Sequence, residues 1–198
     1  MSGAFPLLRT PRLLLRELVP GDAPALLAIE SDAQAMRWCG DNPMRDIEQA
    51  RRQIEVFAAW RKLTFAATKW AIERVSDAAL IGTCALSNWR PVCRSCTLSY
   101  GLARAAWGRG CMREALYAVL PWGFEQMALN RVEAQIHPRN AASRKLARGL
   151  GFVEEGLLRE AGFWGGRHRD MLQCALLRRD HASGCRPASA KCCALGLV

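Results

Sequence analysis

No stretch of this chain approaches the roughly eighteen consecutive apolar residues that read as a membrane-crossing helix, and residues 1–12 hold no apolar core of signal-peptide length. A cytoplasmic protein with no membrane partner is the expectation. No Gly-x-x-x-x-Gly-Lys-Ser/Thr loop occurs anywhere, which speaks against nucleoside-triphosphate chemistry. A dinucleotide fingerprint built on Gly108 and Gly110 would need a third glycine where Arg113 stands, so nicotinamide chemistry is disfavoured too. Cys93-x-x-Cys96 has no second Cys or His pair at zinc spacing, and no metal site is expected. Internal repeats are absent.

What is present suits one globular domain: 51% of the 198 residues are hydrophobic and 23% charged. Nine scattered cysteines cannot all pair, so a reducing compartment and small core residues are the simpler reading. Arg90-Pro91, just before Cys93, reads as a hairpin turn. The net charge of +10 is spread along the chain rather than gathered in one helix or stripe. It favours polyanions by long-range field without marking a sequence-specific nucleic-acid reader.

Residues 12–18 predict a strand, and Pro20-Gly21-Asp22 a turn into a first helix carrying Leu26, Leu27 and Ile29, with Asp22 as its cap. Asn42-Pro43 reads as the cap and first turn of a second helix, with Ile47, Ile54, Phe57 and Ala58 opposite Glu48, Arg51, Arg52 and Glu55. The connection from Arg37 to Asp41 is short and polar enough to border a site. Trp70–Val75, Leu80–Ser87 and Thr97–Leu102 predict an antiparallel meander. The next helix opens near Gly108, and Pro121 inside it, at about 3 kcal/mol, predicts a kink or an end near Ala118. Val132, Ala134 and Ile136 alternate with Glu133, Gln135 and His137 as a strand, before a helix from Ala141 to Leu150 closed by Gly151. That order implies a parallel crossover. Phe152–Gly162 and His168–Leu177 complete an α/β (α+β) mixed sheet with helices on both faces. Residues 8–178 form the domain, and 179–198, poor in apolar periodicity, are expected to be a mobile tail.

Two segments carry chemistry. Trp107-Gly108-Arg109-Gly110-Cys111-Met112 joins a strand to a helix, where small residues let backbone amides crowd around a helix N-terminus and hold phosphate. Gly108 and Gly110 lack the Cβ atoms that would hold an anion away, and Arg109 adds charge on the approach. The second is Asn140-Ala141-Ala142-Ser143, running through Leu146 to Leu150-Gly151-Phe152. It resembles the Asn-x-x-Ser…Leu-Gly-Phe block of the GNAT acetyltransferases, and both blocks stand in that family's order. Thr10-Pro11-Arg12-Leu13-Leu14-Leu15-Arg16, Asn130-Arg131-Val132-Glu133-Ala134 and Gly165-Gly166-Arg167-His168-Arg169-Asp170 are similar to the RimJ/RimL branch, which acetylates ribosomal-protein N-termini. The resemblance covers roughly residues 8 to 180.

That resemblance implies a GNAT fold with splayed central parallel strands, and acetyl-CoA as co-substrate with no metal. The pyrophosphate would lie on the amides from Trp107 to Met112 (Trp107, Gly108, Arg109, Gly110, Cys111, Met112), and backbone amides near Leu102 and Ala103 would polarise the acetyl carbonyl. Many relatives place a tyrosine seven residues after the Asn; here that position is Ala147, so Ser143 becomes the candidate acid and Asn140 the group that orients the pantetheine or a water. Both also suit the plain task of starting a helix. No strong general base announces itself: His137, Glu160 and Glu133 are the candidates. Ala105 replaces a frequent Gln or Arg of the turn.

The expected acceptor is the α-amine of a protein N-terminus, with ribosomal association possible. A small-molecule amine, such as a polyamine or drug, and a non-catalytic acetyl-CoA-binding or ribosome-associated module are the alternatives. Either a monomer or a homodimer is compatible.

Overall fold

Alternating burial builds the sheet. In the computed structural model, which describes residues 4–60 and 67–183, Trp70 and Ile72 of β3 (Thr68–Arg74) bury on one face while Ala71 buries on the other. β1 (Leu8–Arg9), β2 (Leu13–Glu17), β4 (Ala79–Arg90), β5 (Ser95–Leu102), β6 (Arg131–Ile136), β7 (Val153–Trp164) and β8 (Arg167–Leu177) complete an eight-stranded sheet in the order β1-β2-β3-β4-β5-β6-β8-β7. Every neighbouring pair is antiparallel except β5 and β6.

The larger core joins one face to α4 (Cys111–Gln126) and α5 (Ala141–Gly149), through Ala115, Leu116, Val119, Leu120, Phe124 and Ala147. The smaller core packs α1 (Ala23–Glu30) and α3 (Ile47–Trp60) on the opposite face, through Leu26, Ala50 and Ile54 against Ala71. A short α2 (Ala33–Met36), absent from the sequence-based reading, sits between them. Asp32 caps it, accepting from the backbone N–H of Gln34 at 2.9 Å and Ala35 at 3.2 Å.

Four expectations need adjustment. Asp22 stands at the start of α1, but its carboxylate does not cap it. It turns back to accept a fork from Arg16 at 2.7 and 2.8 Å and the Val19 N–H at 2.8 Å, charge-assisted bonds that outcompete a cap. Asn42-Pro43 lies ahead of α3, whose first turn is held instead by Asp46 accepting from the Gln49 N–H at 2.8 Å. Helix α4 neither stops near Ala118 nor at Pro121; it runs to Gln126. Its second half is anchored by buried Leu120 and Phe124, and by Gly123, where a Cβ would lie only 2.8 Å from Leu86. Packing of that tightness outweighs one missing backbone donor.

The ordered chain also continues past 178. Arg178–Ser183 form α6, tied down by Arg178 Nε donating to the Leu129 carbonyl at 2.8 Å and by His181 stacked on Phe124 at 4.9 Å. The rest of the expected tail, 184–198, lies outside the described residues.

Two glycine pairs shape the turns that matter. Gly165 and Gly166, at φ +60° and +69°, make the two-residue connection between β7 and β8 that suits glycine at both central positions. Gly108 and Gly110, at φ +71° and +74°, let the chain leave β5 and enter α4.

Candidate active site

The sheet opens where its two parallel strands should meet. Strands β5 and β6 pair only at Ser95–Arg131, Cys96–Val132 and Thr97–Glu133, so the remainder of each strand diverges from the other. The Ala103 N–H bonds to the Ile81 carbonyl at 2.9 Å on the β4 side. Backbone direction alternates along a strand, so the Leu102 N–H points the other way, into the opening. Of the two amides expected to serve a carbonyl, Leu102 is available and Ala103 is engaged.

The glycine turn borders this opening. Gly110 caps α4 in a left-handed conformation, and no side chain caps the helix. The first-turn amides of a helix have no acceptor within it. Among the described residues, none of the N–H groups from Gly108 to Met112 donates to a side chain or to loop backbone. The turn is held from behind: the Arg12 guanidinium donates to the Arg109 carbonyl at 3.0 Å and pairs with Glu114 at 2.6 Å. Trp107 folds over the end of β5, its indole N–H on the Leu102 carbonyl at 2.9 Å. Cys111 and Met112 turn their side chains into the core, so only their backbone is offered to the turn. The side chain of Arg109 is exposed. These residues fit an elongated anion such as a pyrophosphate.

Across the opening stands α5. The Asn140 carboxamide oxygen accepts from the Ser143 N–H at 3.1 Å, a helix cap that leaves the Asn140 amide NH₂ as its spare donor. Ser143 Oγ lies 2.6 Å from the hydroxyl of Tyr100 on β5. Burial pushes the Tyr100 phenol up, against the downward pull of the Ser143 bond, so it stays protonated. Tyr100 was missed by sequence reasoning. It is one of two tyrosines, and it stands on the strand that feeds the glycine turn, which was the available signal.

His137 follows β6 and is 8% exposed. Its imidazole stacks on Trp38 at 4.2 Å and meets the edge of Trp164 at 5.9 Å. Burial lowers its pKa, helped by Arg169 and Arg139. Its Nδ1 accepts the Arg139 N–H at 3.1 Å, so the neutral ring carries its proton on Nε2 and has no lone pair free for a substrate. Glu133 sits at the last paired position, where the two strands begin to part, with its carboxylate held by Arg131 and Arg90, each at 2.8 Å. Glu160 is exposed at an irregular stretch of β7, in left-handed backbone at φ +53°, with its N–H on Asp170 at 2.9 Å. The structure therefore gathers Leu102, Tyr100, Asn140 and Ser143 about the opening, while the Glu133 carboxylate is engaged by two arginines.

On the α1 face a cleft of ≈ 230 Å³ lies against β3–β5, lined by Glu30, Met36, Cys39, Asp41, Lys69, Thr83 and Leu102 among others. Ligand sites start at about 300 Å³, so this cleft suits the end of a molecule rather than a whole one. Lys69 is held there by Glu30 at 3.6 Å and by Gln53 at 3.3 Å, and burial lowers its pKa against the raising effect of Glu30. The Arg37–Asp41 connection does border the cleft, through Cys39 and Asp41. Among the described residues no group of His, Cys, Asp or Glu could hold a metal, and no helix is long and apolar enough to cross a membrane.

Residues 12–153 match the family profile described as an acetyltransferase (GNAT) domain. The chain is 33% identical over 175 residues to the uncharacterized N-acetyltransferase p20 of Bacillus licheniformis, covering 88% of this chain and 98% of that protein. A shorter match, 31% over 106 residues, covers 53% of this chain and 55% of the ribosomal protein uS5-alanine N-acetyltransferase of Escherichia coli K12. Among solved structures, RimL, a ribosomal α-N-protein acetyltransferase in complex with coenzyme A, superposes with a TM-score of 0.78 at 20% identity, covering 87% of this chain and 98% of that one. The spermidine N-acetyltransferase of Vibrio cholerae, in complex with CoA and spermine, gives 0.76 at 22%, covering 87% and 99%. A family match over most of the chain, carried by a sheet that opens at its one parallel pair, makes this protein a member of the GNAT family of N-acetyltransferases.

Proposed function

We propose that the protein moves an acetyl group from acetyl-CoA to the α-amine of a protein N-terminus. The co-substrate's pyrophosphate would rest on the amides of Gly108 to Met112, and its acetyl carbonyl near the Leu102 N–H; both placements are supported by the donors at the end of β5 and in the turn that follows it. The amine nitrogen forms its bond to the carbonyl carbon as the carbon–sulfur bond breaks. Ser143 Oγ–H gives its proton to the leaving sulfur and takes one from the Tyr100 hydroxyl at 2.6 Å. The proton lost by the acceptor returns through solvent to Tyr100. Neither hydroxyl ionises alone, since burial disfavours the phenolate.

The observation that favours an α-amine is the state of His137, whose one lone pair is taken by the Arg139 N–H. An α-amine of pKa about 7.7–8.0 is roughly one-tenth neutral at pH 7, whereas a lysine near 10.4 is neutral about four times in ten thousand. A lysine acceptor would need about 3 kcal/mol from a base. Relatives named for ribosomal-protein acetylation agree with this reading. A polyamine reading is favoured by Glu30 and Asp41 in the cleft, and by the spermidine enzyme's similar fold. The test offers peptides with free α-amines, the same peptides blocked at the α-amine but containing lysine, and spermidine, each with acetyl-CoA at pH 7. Faster thiol release with the free α-amines is expected. Faster acetylation of spermidine or blocked peptide overturns the proposal.

A further inference from the structure

Several arginines of the described residues have a carboxylate partner, among them Arg12 with Glu114, Arg16 with Asp22 and Glu73, Arg74 with Asp77, Arg104 with Asp32, Arg131 with Glu155 and Arg144 with Glu154. Three near His137 do not. Arg37 lies over the Trp38 ring at 4.5 Å, Arg139 lies 6.0 Å from the same ring, and Arg169 lies 5.8 Å from the Trp164 ring. Among the described residues none of the three forms an ion pair, and the Nε of Arg169 is shut off from solvent without a hydrogen-bond partner. The groups that act electrostatically on the His137 imidazole are these three guanidiniums and Asp170, whose carboxylate also takes the Glu160 N–H.

The cluster stands beside the cleft. Met36 and Cys39, on either side of Arg37 and Trp38, line it. His137 leads through its carbonyl, which accepts the Asn140 N–H at 2.8 Å, to the Ser143–Tyr100 pair. Inside the cleft the charge runs the other way, because Glu30 and Asp41 face the single ammonium of Lys69. An acceptor therefore meets a net negative interior and a positive rim.

We infer that the rim built by Arg37, Arg139 and Arg169 selects acceptors that carry carboxylates in the residues just after the reactive amine. This rests on the α-amine reading above. A cationic amine enters the acidic interior, while acidic side chains that follow it meet guanidiniums with free donor forks. A polyamine satisfies the interior but brings further ammonium groups to the rim, where like charge opposes them.

The experiment measures kcat/KM at low and high salt for three peptides with one N-terminal residue, followed by acidic, neutral or basic residues. The acidic peptide should exceed the neutral one by about tenfold, chiefly through KM, with the basic one lowest and the spread shrinking in salt. Arg37→Gln and Arg139→Gln alter exposed side chains and should level acidic and neutral peptides while leaving the neutral rate unchanged. Arg139→Glu should move the preference toward the basic peptide. Equal rates for acidic and neutral peptides, with the neutral one turned over well, overturn this inference and leave the α-amine reading standing. Spermidine acetylated in place of every peptide overturns both.

Discussion

At the residue scale, the Ser143–Tyr100 contact departs most from what the linear motif implies. The family's tyrosine position is occupied by Ala147, buried at 4% exposure on α5, yet a phenol reaches the same helix start from β5. Removing one hydroxyl tests whether it matters. Ser143→Ala should lower kcat by roughly 10²- to 10⁴-fold with co-substrate affinity nearly intact. Tyr100→Phe should cause a smaller fall, about tenfold, because Ser143 keeps its own proton for the first transfer and loses only its replacement. Full turnover in Ser143→Ala would remove it from the chemistry, and an unchanged Tyr100→Phe would reduce that contact to packing. Asn140 is a reminder that a motif residue has local work as well. Its carboxamide oxygen caps α5, so Asn140→Ala would disturb the helix start and the chemistry together.

At the element scale, α4 joins the glycine turn to a run of core residues, Ala115, Leu116, Val119, Leu120 and Phe124, in one piece of chain. Gly108 sits in left-handed backbone, where any other residue is strained, and a Cβ there would point into open space. Asn tolerates that conformation best and is nearly isosteric with Asp, so the pair separates strain from charge. Gly108→Asn and Gly108→Asp should lose similar melting temperature. The Asp variant should bind acetyl-CoA at least tenfold more weakly than the Asn variant, since a carboxylate would face phosphate. Equal affinities of the two would remove the pyrophosphate from this turn. The same helix carries the clearest lesson about propensity. Pro121 is a strong local stop signal, yet Phe124 and the close approach of Gly123 to Leu86 hold the second half of α4 against the sheet. Tertiary packing was not legible from the proline.

At the scale of the whole molecule, one buried and one half-buried imidazole couple stability to pH. Burial lowers the pKa of His137, with Arg169, Arg139 and Arg37 adding to the effect and Asp170 opposing it. Burial also lowers that of His181, stacked on Phe124, with Glu125 opposing. Above the unfolded value of about 6.5 both states are neutral and pH has no effect through these groups. As pH falls below it the unfolded chain takes up protons that the folded one refuses, so stability should drop toward the lower folded values. Melting temperatures measured from pH 7.5 to 5.5 should fall, and His181→Asn should flatten part of the slope. A flat or rising profile in the unmodified protein would contradict this account. Burial would raise Asp22 and Glu114, but Arg16 and the Val19 N–H hold the first below its usual range, and Thr10 and Arg12 the second, so both act only nearer their own acidic range.

The strands, the glycine turn and the Asn140 helix start were legible in sequence because each rests on local physics. Period-two alternation marks Arg131–Ile136, positive φ demands Gly108 and Gly110, and a short amide side chain caps a helix. What sequence could not decide depends on groups far apart in the chain. The position at which β5 and β6 part, the engagement of Ala103 by Ile81, and the Tyr100–Ser143 bond across 43 positions all arise when the sheet is assembled. So does the fate of His137, a plausible base by position, whose lone pair is taken by a neighbouring amide as Trp38 and Trp164 close around its ring. Local preferences act over a few residues and can be read along the chain, whereas donors, lone pairs and unpaired charge are allotted only when distant segments compete for them in space.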